Sequence, residues 1–449
     1  MSDWTLCIDF GTAFSKAAAA PTGAWSGFDP QTVRPLMLSG HEQQTNPFLL
    51  DSAVFVDDAR ILFGRAALGQ AAASSDKRRL PLRSFKTLLS VSDLDRALAT
   101  NAPTSVDPHR IFQMRDLIVL YLAFLLQTVE RAAKADPALA RVKEIRRRYA
   151  APAWRSGDSA GMHTAVLGIF GEAEAFRAAM GDRLLAPEGL PIDVITSALP
   201  KAAPAAKPYE MDLIFEATAA ASYTSIGLED AGSHLIVVDM GAGTTDIAAI
   251  ARAGQTAFEL PEARVTFKQA GDFIDGVIAN VVLDSAKWAR SPEQKTALWT
   301  ALMRQMRDIK ETVFADGRAA LRHEGRTLSL SMRDIERDND FKEFIKGFER
   351  AYAQSLAVVR DDAKARGRPE VHAIAVGGGA AAPFVRALIA AKPKGGGPRV
   401  AARPATPDWA HAPSFQGNLA PVFPQLAIAI GGALAPDDML AARAPSIPA

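Results

Sequence analysis

Two short segments, far apart in the chain, place an aspartate just before a turn rich in glycine and threonine. Asp9 precedes Gly11 and Thr12, and Asp239 precedes the run Gly-Ala-Gly-Thr-Thr-Asp at residues 241–246. Glycine lets backbone N–H groups approach an anion closely, and threonine hydroxyls add further donors. An aspartate at the end of a strand sets a carboxylate beside the same spot, where it can hold a hydrated Mg²⁺. Two such turns would clamp a polyphosphate from both sides.

A third glycine turn lies near the C-terminus. The apolar residues 373–376 run directly into Gly377, Gly378 and Gly379. A turn without side chains suits the flat face of a nucleobase or ribose lying against the backbone. The three turns together therefore predict a nucleotide site built from distant parts of the chain.

The composition of the chain argues against several kinds of partner and site. Lys plus Arg is 51 and Asp plus Glu is 50, a formal net charge of +1, which argues against nucleic acid or a polyanionic surface as the main partner. The single cysteine, Cys7, excludes an intrachain disulfide and a multi-cysteine metal site. The chain opens without a basic stretch before an apolar run, and the apolar run at 117–126 is about half the length of a membrane span. We expect a soluble, cytoplasmic protein without membrane contact.

Periodicity indicates alternating helices and strands around these turns. Apolar runs predict strands at 4–10, 54–56, 61–63, 235–239, 247–250 and 373–376. Helical patterns cover 110–134, 158–180, most of 272–315, 340–365 and 426–434. Residues 202–208 and 391–415, rich in Pro, Gly and basic residues, predict surface loops. An apolar strand that ends in Asp and a Gly/Thr turn occurs in both halves, which indicates a coarse duplication.

Five motifs in this order resemble those of the actin-like ATPase superfamily, which includes actin, hexokinase and the 70-kDa heat-shock chaperones. They span nearly the whole chain: the first phosphate motif at 8–12, the first connecting motif at 216–221, the second phosphate motif at 238–246, the adenosine motif at 376–379 and the second connecting motif at 427–433.

Within that superfamily the chain is most similar to the nucleotide-binding domain of the heat-shock proteins. The segments that carry this similarity are 64–67 with 85–89, 151–154 and 270–275. The resemblance implies an α/β fold of two lobes, each a mixed sheet flanked by helices, with a nucleotide cleft between them. It implies a first lobe at 1–232 with an upper subdomain at 46–111, a second lobe at 233–419 with an upper subdomain at 269–349, and a C-terminal helix at 420–449 that returns to the first lobe.

The chain departs from the heat-shock pattern at three positions. The family's catalytic lysine, placed just after the Gly-Ala-Ala segment, falls at Leu68, and the arginine that packs on the base falls at Ala381. Arg307 stands where a Glu precedes Lys310. Lys16, in contrast, occupies the place where actin and some relatives hold a phosphate-binding lysine.

The resemblance implies a role for each site residue. Asp9 and Asp239 would orient Mg²⁺ through water, Lys16 would offset phosphate charge in place of the missing lysine, and Glu216 or Asp246 would orient the attacking water. The nucleotide, ATP or ADP, would be held by Gly11, Thr12, Ala13, Gly241, Ala242, Gly243, Thr244, Thr245, Gly271, Lys310, Glu311, Gly377, Gly378 and Gly379.

Simpler roles stay open for some of these side chains. Glu216 also fits a carboxylate at a helix N-terminus, and Lys16 fits a solvated strand lysine. Lys310 and Glu311 fit a solvated helix face, because charged helix residues are mostly exposed.

The function expected is that of an ATP-binding, slowly hydrolysing, heat-shock-70-like protein without a peptide-binding domain. It would act as a nucleotide-dependent switch or chaperone-like factor read by an unknown protein partner. Two alternatives stay open within the superfamily, a polymerising actin-like filament protein and a small-molecule kinase.

Overall fold

The computed structural model describes residues 4–24, 28–39, 46–76, 78–91, 93–152, 159–226, 233–253, 256–393, 396–412 and 419–440. The strands of the first half are β1 (Trp4–Asp9), β2 (Phe14–Pro21), β3 (Arg34–Pro35), β4 (Leu50–Asp51), β5 (Val54–Val56), β6 (Arg60–Phe63), β7 (Ile145–Ala151), β8 (Leu190–Pro191) and β9 (Asp212–Phe215). Its helices are α1 (Gly64–Ala73), α2 (Leu94–Leu98), α3 (Met114–Ala135), α4 (Ser159–Met180), α5 (Ile192–Ala205) and α6 (Glu216–Ile226).

The second half repeats this mixture of strands and helices. Its strands are β10 (His234–Met240), β11 (Thr245–Ala253), β12 (Thr256–Glu259), β13 (Val265–Phe267), β14 (Arg318–His323), β15 (Arg326–Ser331), β16 (Glu370–Val376) and β17 (Arg399–Ala402). Its helices are α7 (Gly271–Ser285), α8 (Pro292–Asp316), α9 (Met332–Arg337), α10 (Asn339–Ala365), α11 (Pro383–Ala390) and α12 (Leu419–Leu434).

Two six-stranded mixed sheets have the same topology. In the first, β3, β2, β1, β7 and β9 lie side by side and β4 also pairs with β2; in the second, β12, β11, β10, β16 and β17 do so and β13 also pairs with β11. Each sheet joins an antiparallel hairpin (β1–β2 or β10–β11) to two parallel strands. The duplication expected from the sequence is therefore present in the strand order. We call each sheet, with the elements on its outer face, a lobe.

Buried apolar residues form a separate core in each lobe and a third core between them. The first core packs α3 and α4 against one face of the first sheet, and the second packs α7, α8 and α10 against the second sheet. All seven residues of β10 are buried, as expected of a strand covered on both faces. The third core holds α6 and α12 between the inner faces of the two sheets.

The two helices of the middle layer are exchanged between the lobes. Helix α6 follows β9 of the first sheet but packs against β10 and β11, whereas α12 follows β17 of the second sheet but packs against β1 and β2. They contact each other where a β-carbon at Gly431 would overlap the carbonyl oxygen of Ala219. The glycine therefore permits a backbone-to-backbone approach, and the two lobes share one interior.

The two expected loops contain regular structure. In the segment 391–415, β17 pairs in parallel with β16, so the loop prediction is wrong for those residues. In 202–208, α5 continues to Ala205 although Pro200 and Pro204 lie inside it. The predicted residues Ala153, Trp154 and Lys394 lie outside the described residues. Each helix in the described part of the chain is too short or too polar to cross a lipid bilayer.

Candidate functional site

A cavity of about 780 Å³ opens between the lobes, where β1, β10 and β16 end. This volume lies within the range of about 300–1,000 Å³ typical of small-molecule sites. The turns that follow all three strands reach its wall. Its lining includes sixteen residues predicted from the sequence: Asp9, Gly11, Thr12, Ala13, Lys16, Glu216, Asp239, Gly241, Ala242, Thr244, Gly271, Lys310, Glu311, Gly377, Gly378 and Gly379.

The first hairpin pairs an acid with a base. Asp9 and Lys16 are register partners in β1 and β2, and Lys16 Nζ lies 2.6 Å from Asp9 Oδ2. Both side chains are buried, so Lys16 is not a solvated strand lysine. Its positive charge lies on the cavity wall, where it is paired with the charge of the Asp9 carboxylate.

The second turn is anchored on the start of α7. The Gly241 N–H donates to the carbonyl of Thr244 at 3.0 Å, which closes the turn, and the Asp272 N–H donates to the carbonyl of Ala242 at 2.7 Å. The Gly271 N–H donates to the Gly241 carbonyl at 3.3 Å. Gly241, Ala242 and Thr244 therefore line the cavity from a fixed base.

Three of the predicted residues do not line the cavity. The Asp246 carboxylate accepts hydrogen bonds from Thr244 Oγ1 at 2.8 Å and Thr266 Oγ1 at 2.6 Å, so it holds the turn rather than facing the cavity. Thr245 Oγ1 donates to the carbonyl of Gln269. Gly243 faces across the cleft, where a β-carbon would overlap Thr87. Of the two candidates for orienting water, only Glu216 reaches the cavity wall.

The third turn approaches the second hairpin very closely. Gly377 has a φ of +80°, and a β-carbon there would overlap Asp239 Oδ1 and the carbonyl of Met240. Gly379 likewise packs on the Met240 side chain. Glycine is therefore required for two independent reasons at Gly377: a left-handed backbone and the space taken by a buried carboxylate.

Lys86 is the main site residue that the sequence reasoning missed. It lies in the short 3-10 helix Phe85–Ser90, lines the cavity and forms a buried ion pair with Glu216. Its Nζ also lies 3.8 Å from Asp9 Oδ1. Burial lowers the pKa of Lys86, but the carboxylates of Glu216 and Asp9 outweigh it and raise the pKa above its ordinary value, so this lysine stays charged.

Position 68 supplies no charge to the cavity, but Lys86 places a positive charge on its wall. Leu68 packs against the small apolar cluster under α1 and does not line the cavity, whereas Lys86 does. A usable signal was present in the sequence: a single lysine inside the apolar run Phe85-Lys86-Thr87-Leu88-Leu89. A buried lysine needs a carboxylate partner.

Burial raises the pKa of two carboxyl groups that line the site, Glu216 and Asp239. It raises the pKa of Glu216, with Asp9 and Asp246 adding to the shift and Lys86 opposing it. It raises the pKa of Asp239 well above its ordinary value, and the charges of Glu216, Asp246 and Asp9 reinforce the effect. Four buried carboxyl groups close together favour the arrival of a cation.

These residues fit a magnesium ion held largely by water and phosphate. Asp239 Oδ1 is buried and lacks a hydrogen-bond partner within the described part of the chain. No group of three or more acidic, His or Cys side chains in the described residues is placed to ligate a metal. Mg²⁺ is commonly bound through one or two carboxylates plus waters and substrate phosphates, and Asp239 is the better candidate because Lys16 already neutralises Asp9.

Helices α8 and α11 also contribute to the wall of the cavity. Lys310 Nζ lies 2.7 Å from Asp275 Oδ1 and donates to the Gly271 carbonyl at 3.2 Å, so it is not a solvated helix residue. Glu311 is exposed but lines the cavity. Ala381 lines it too, and Arg386, one turn into α11, supplies an arginine that the sequence reasoning missed.

No protein-family model matches the chain, and no curated protein matches it.

Proposed function

We propose that the chain is an ATP-binding protein of the actin-like superfamily that hydrolyses ATP and changes its lobe arrangement with the bound nucleotide. The observation that carries this proposal is the meeting of three glycine turns at one cavity, two of them from hairpins in equivalent positions of duplicated sheets. Backbone N–H groups from the first two turns suit phosphate oxygens. The third turn, with α8 and α11, forms an end that suits the nucleoside.

Hydrolysis of a phosphoanhydride needs charge neutralisation and an in-line water more than covalent chemistry. Lys86 and Lys16 supply two positive charges beside the phosphate turns. Glu216 accepts a hydrogen bond from Lys86 and has the raised pKa of a group that can accept a proton near neutral pH. When bound, Mg²⁺ would neutralise phosphate charge, and Asp239 would hold one of its waters.

The heat-shock type of switch is preferred among the superfamily's activities because of the buried pair between Lys86 and Glu216. Held by Lys86, the Glu216 carboxylate would orient a water molecule for hydrolysis. Slow hydrolysis no longer follows from a missing lysine, since Lys86 provides one. A cytoplasmic location and a protein partner that reads the lobe arrangement belong to the same proposal.

Thermal denaturation with nucleotides tests the proposal. Millimolar Mg-ATP and Mg-ADP should both raise the melting temperature, because at a hundredfold excess over Kd a ligand stabilises the native state by about 2.7 kcal/mol. Incubation with Mg-ATP should release phosphate, and adding glucose or glycerol should leave that rate unchanged. An unshifted melting temperature would exclude the nucleotide site, and ATP-dependent sedimentation would favour a filament.

A further inference from the structure

The first glycine turn is held at both ends by one residue outside it. The Ser52 N–H donates to the carbonyl of Ala13 at 3.0 Å, and Ser52 Oγ donates to the carbonyl of Gly11 at 2.7 Å. Ser52 is 2% exposed. The direction of the N–H groups in the turn therefore depends on where these two carbonyls are held.

A buried hydroxyl network fixes Ser52 in turn. Ser15 Oγ lies 3.0 Å from Ser52 Oγ and 2.9 Å from Tyr121 Oη. The Tyr121 hydroxyl also donates to the carbonyl of Asp51 at 3.2 Å. Ser15 and Tyr121 are fully buried, and a satisfied buried network of this kind makes the local structure rigid.

The residue before Ser52 reaches the other lobe. Asp51 Oδ1 lies 3.3 Å from Arg307 Nη1 on α8. The Arg307 guanidinium carbon lies 4.0 Å from the centre of the Phe14 ring, directly after the turn, and Arg307 lines the cavity. Two consecutive residues therefore join the phosphate turn to the second lobe.

We propose that Ser52 is a positioning residue for the first phosphate turn, and that Asp51 and Arg307 transmit the state of that turn to the second lobe. The inference rests on the proposed function, because it assigns the turn to phosphate binding. A ligand phosphate that pulls on the N–H groups of the turn moves the carbonyls of Gly11 and Ala13. Through Ser52 and Asp51 this shift changes the contact with Arg307 across the cleft.

The test compares Ser52→Ala with Ser39→Ala. The Ser39 hydroxyl donates to the carbonyl of Leu49, so the control loses a similar hydrogen bond near the same strand without touching the turn. We expect Ser52→Ala to weaken Mg-ATP binding about tenfold, the effect of one hydrogen bond to a preformed site. Adenosine, which lacks phosphates, should bind equally well to both variants. Equal Mg-ATP affinity in parent, control and Ser52→Ala would overturn the positioning role.

A double-mutant cycle tests the link between lobes. The effects of Ser52→Ala and Arg307→Gln on Mg-ATP affinity should be non-additive. Ser52 directly follows Asp51 in the chain, and Arg307 is the ion-pair partner of Asp51. Additive effects would contradict transmission to the second lobe. If Ser52→Ala fails to fold, Ser52→Cys keeps the shape and retains only a weak donor.

Hydrogen exchange separates this inference from the proposed function. In the nucleotide-free protein, amides of residues 11–16 should exchange faster in Ser52→Ala than in Ser39→Ala, since the turn loses one of its two anchors. This readout needs no ATP binding. If the parent binds no nucleotide, the proposed function fails while the exchange data still decide the positioning role. If the parent binds ATP and exchange is unchanged, only the positioning role fails.

Discussion

Asp239 lies directly opposite Asp246 in the antiparallel pairing of β10 with β11. At the equivalent position of the first hairpin, Asp9 lies opposite Lys16. Like charges directly opposite each other destabilise a strand pair, and only the first hairpin neutralises its aspartate locally. The second hairpin therefore carries the unbalanced carboxylates, which a bound cation would relieve.

Asp239→Asn should stabilise the ligand-free protein at neutral pH. Burial raises the pKa of Asp239 in the folded state, so the folded protein binds a proton at pH values where the unfolded chain has lost it. Stability then falls as pH rises above the ordinary aspartate value of about 3.9. The variant escapes this loss, so its melting temperature should match that of the parent near pH 4 and exceed it increasingly toward pH 7.

The same variant should lose the magnesium dependence of ATP binding, because an amide is a weaker ligand for a hydrated cation. Titration with ATP in Mg²⁺ and in EDTA measures this difference. Parent-like magnesium dependence in Asp239→Asn would remove Asp239 from the metal site.

Lys86→Met should lower hydrolysis about 10²–10³-fold, the usual effect of removing one preorganised electrostatic group. ATP should still bind, since two glycine turns and Lys16 are unchanged. Single-turnover hydrolysis is the measurement, and Leu68→Lys is the matched control. A lysine at position 68, which lies in α1 and away from the cavity lining, should not increase the rate. If Leu68→Lys hydrolyses ATP faster than the parent and Lys86→Met is unimpaired, the lysine that promotes hydrolysis belongs at position 68 and not at Lys86.

Gly377→Ala should disrupt the nucleotide site. The new β-carbon would overlap Asp239 Oδ1, and the φ of +80° adds strain, so a stability loss of about 1–3 kcal/mol is expected. Gly378→Ala is the control for stability, because nothing lies within 4 Å of its added β-carbon. Chemical denaturation should show a lowered midpoint for the first variant alone. Equal denaturation midpoints for Gly377→Ala and Gly378→Ala would mean that the space between the third turn and β10 can accommodate a β-carbon.

Gly431→Ala should weaken the contact between the exchanged helices. Its β-carbon would overlap the Ala219 carbonyl, and overpacking of this kind costs about 1–3 kcal/mol. Gly276→Ala in α7 is the matched helical control. Nothing lies within 4 Å of that β-carbon, so the substitution should add about 0.5–1 kcal/mol of stability. Thermal denaturation of the two variants should shift in opposite directions.

Local patterns predicted the parts of the fold that depend on neighbours in sequence. The strand into Asp9, the hairpin around Gly241 and the helix that became α10 follow from apolar period and turn residues alone. Strand β17 was missed because its four residues include exposed Arg399 and Ala402, so no buried run marks it.

The candidate site was predicted less completely because its charged side chains come from segments that lie far apart in the sequence. Lys86 and Glu216 are separated by 130 positions, and no periodicity reports such a pairing. Asp246 was placed at the cavity by its motif, but its carboxylate turns toward Thr244 and Thr266. Strand register decides that direction, and register is a property of the pairing rather than of one segment.

The close packing of α12 on β1 also means that the reactivity of a β1 side chain can report the separation of these two elements. Cys7 is the only cysteine of the chain, it is fully buried, and a β-carbon at Gly432 would overlap its Sγ. Burial raises the pKa of this thiol, so thiol reagents react only after α12 has moved away. The rate of labelling in native buffer therefore reads out the free energy of separating the exchanged helix from the first sheet, without any introduced label.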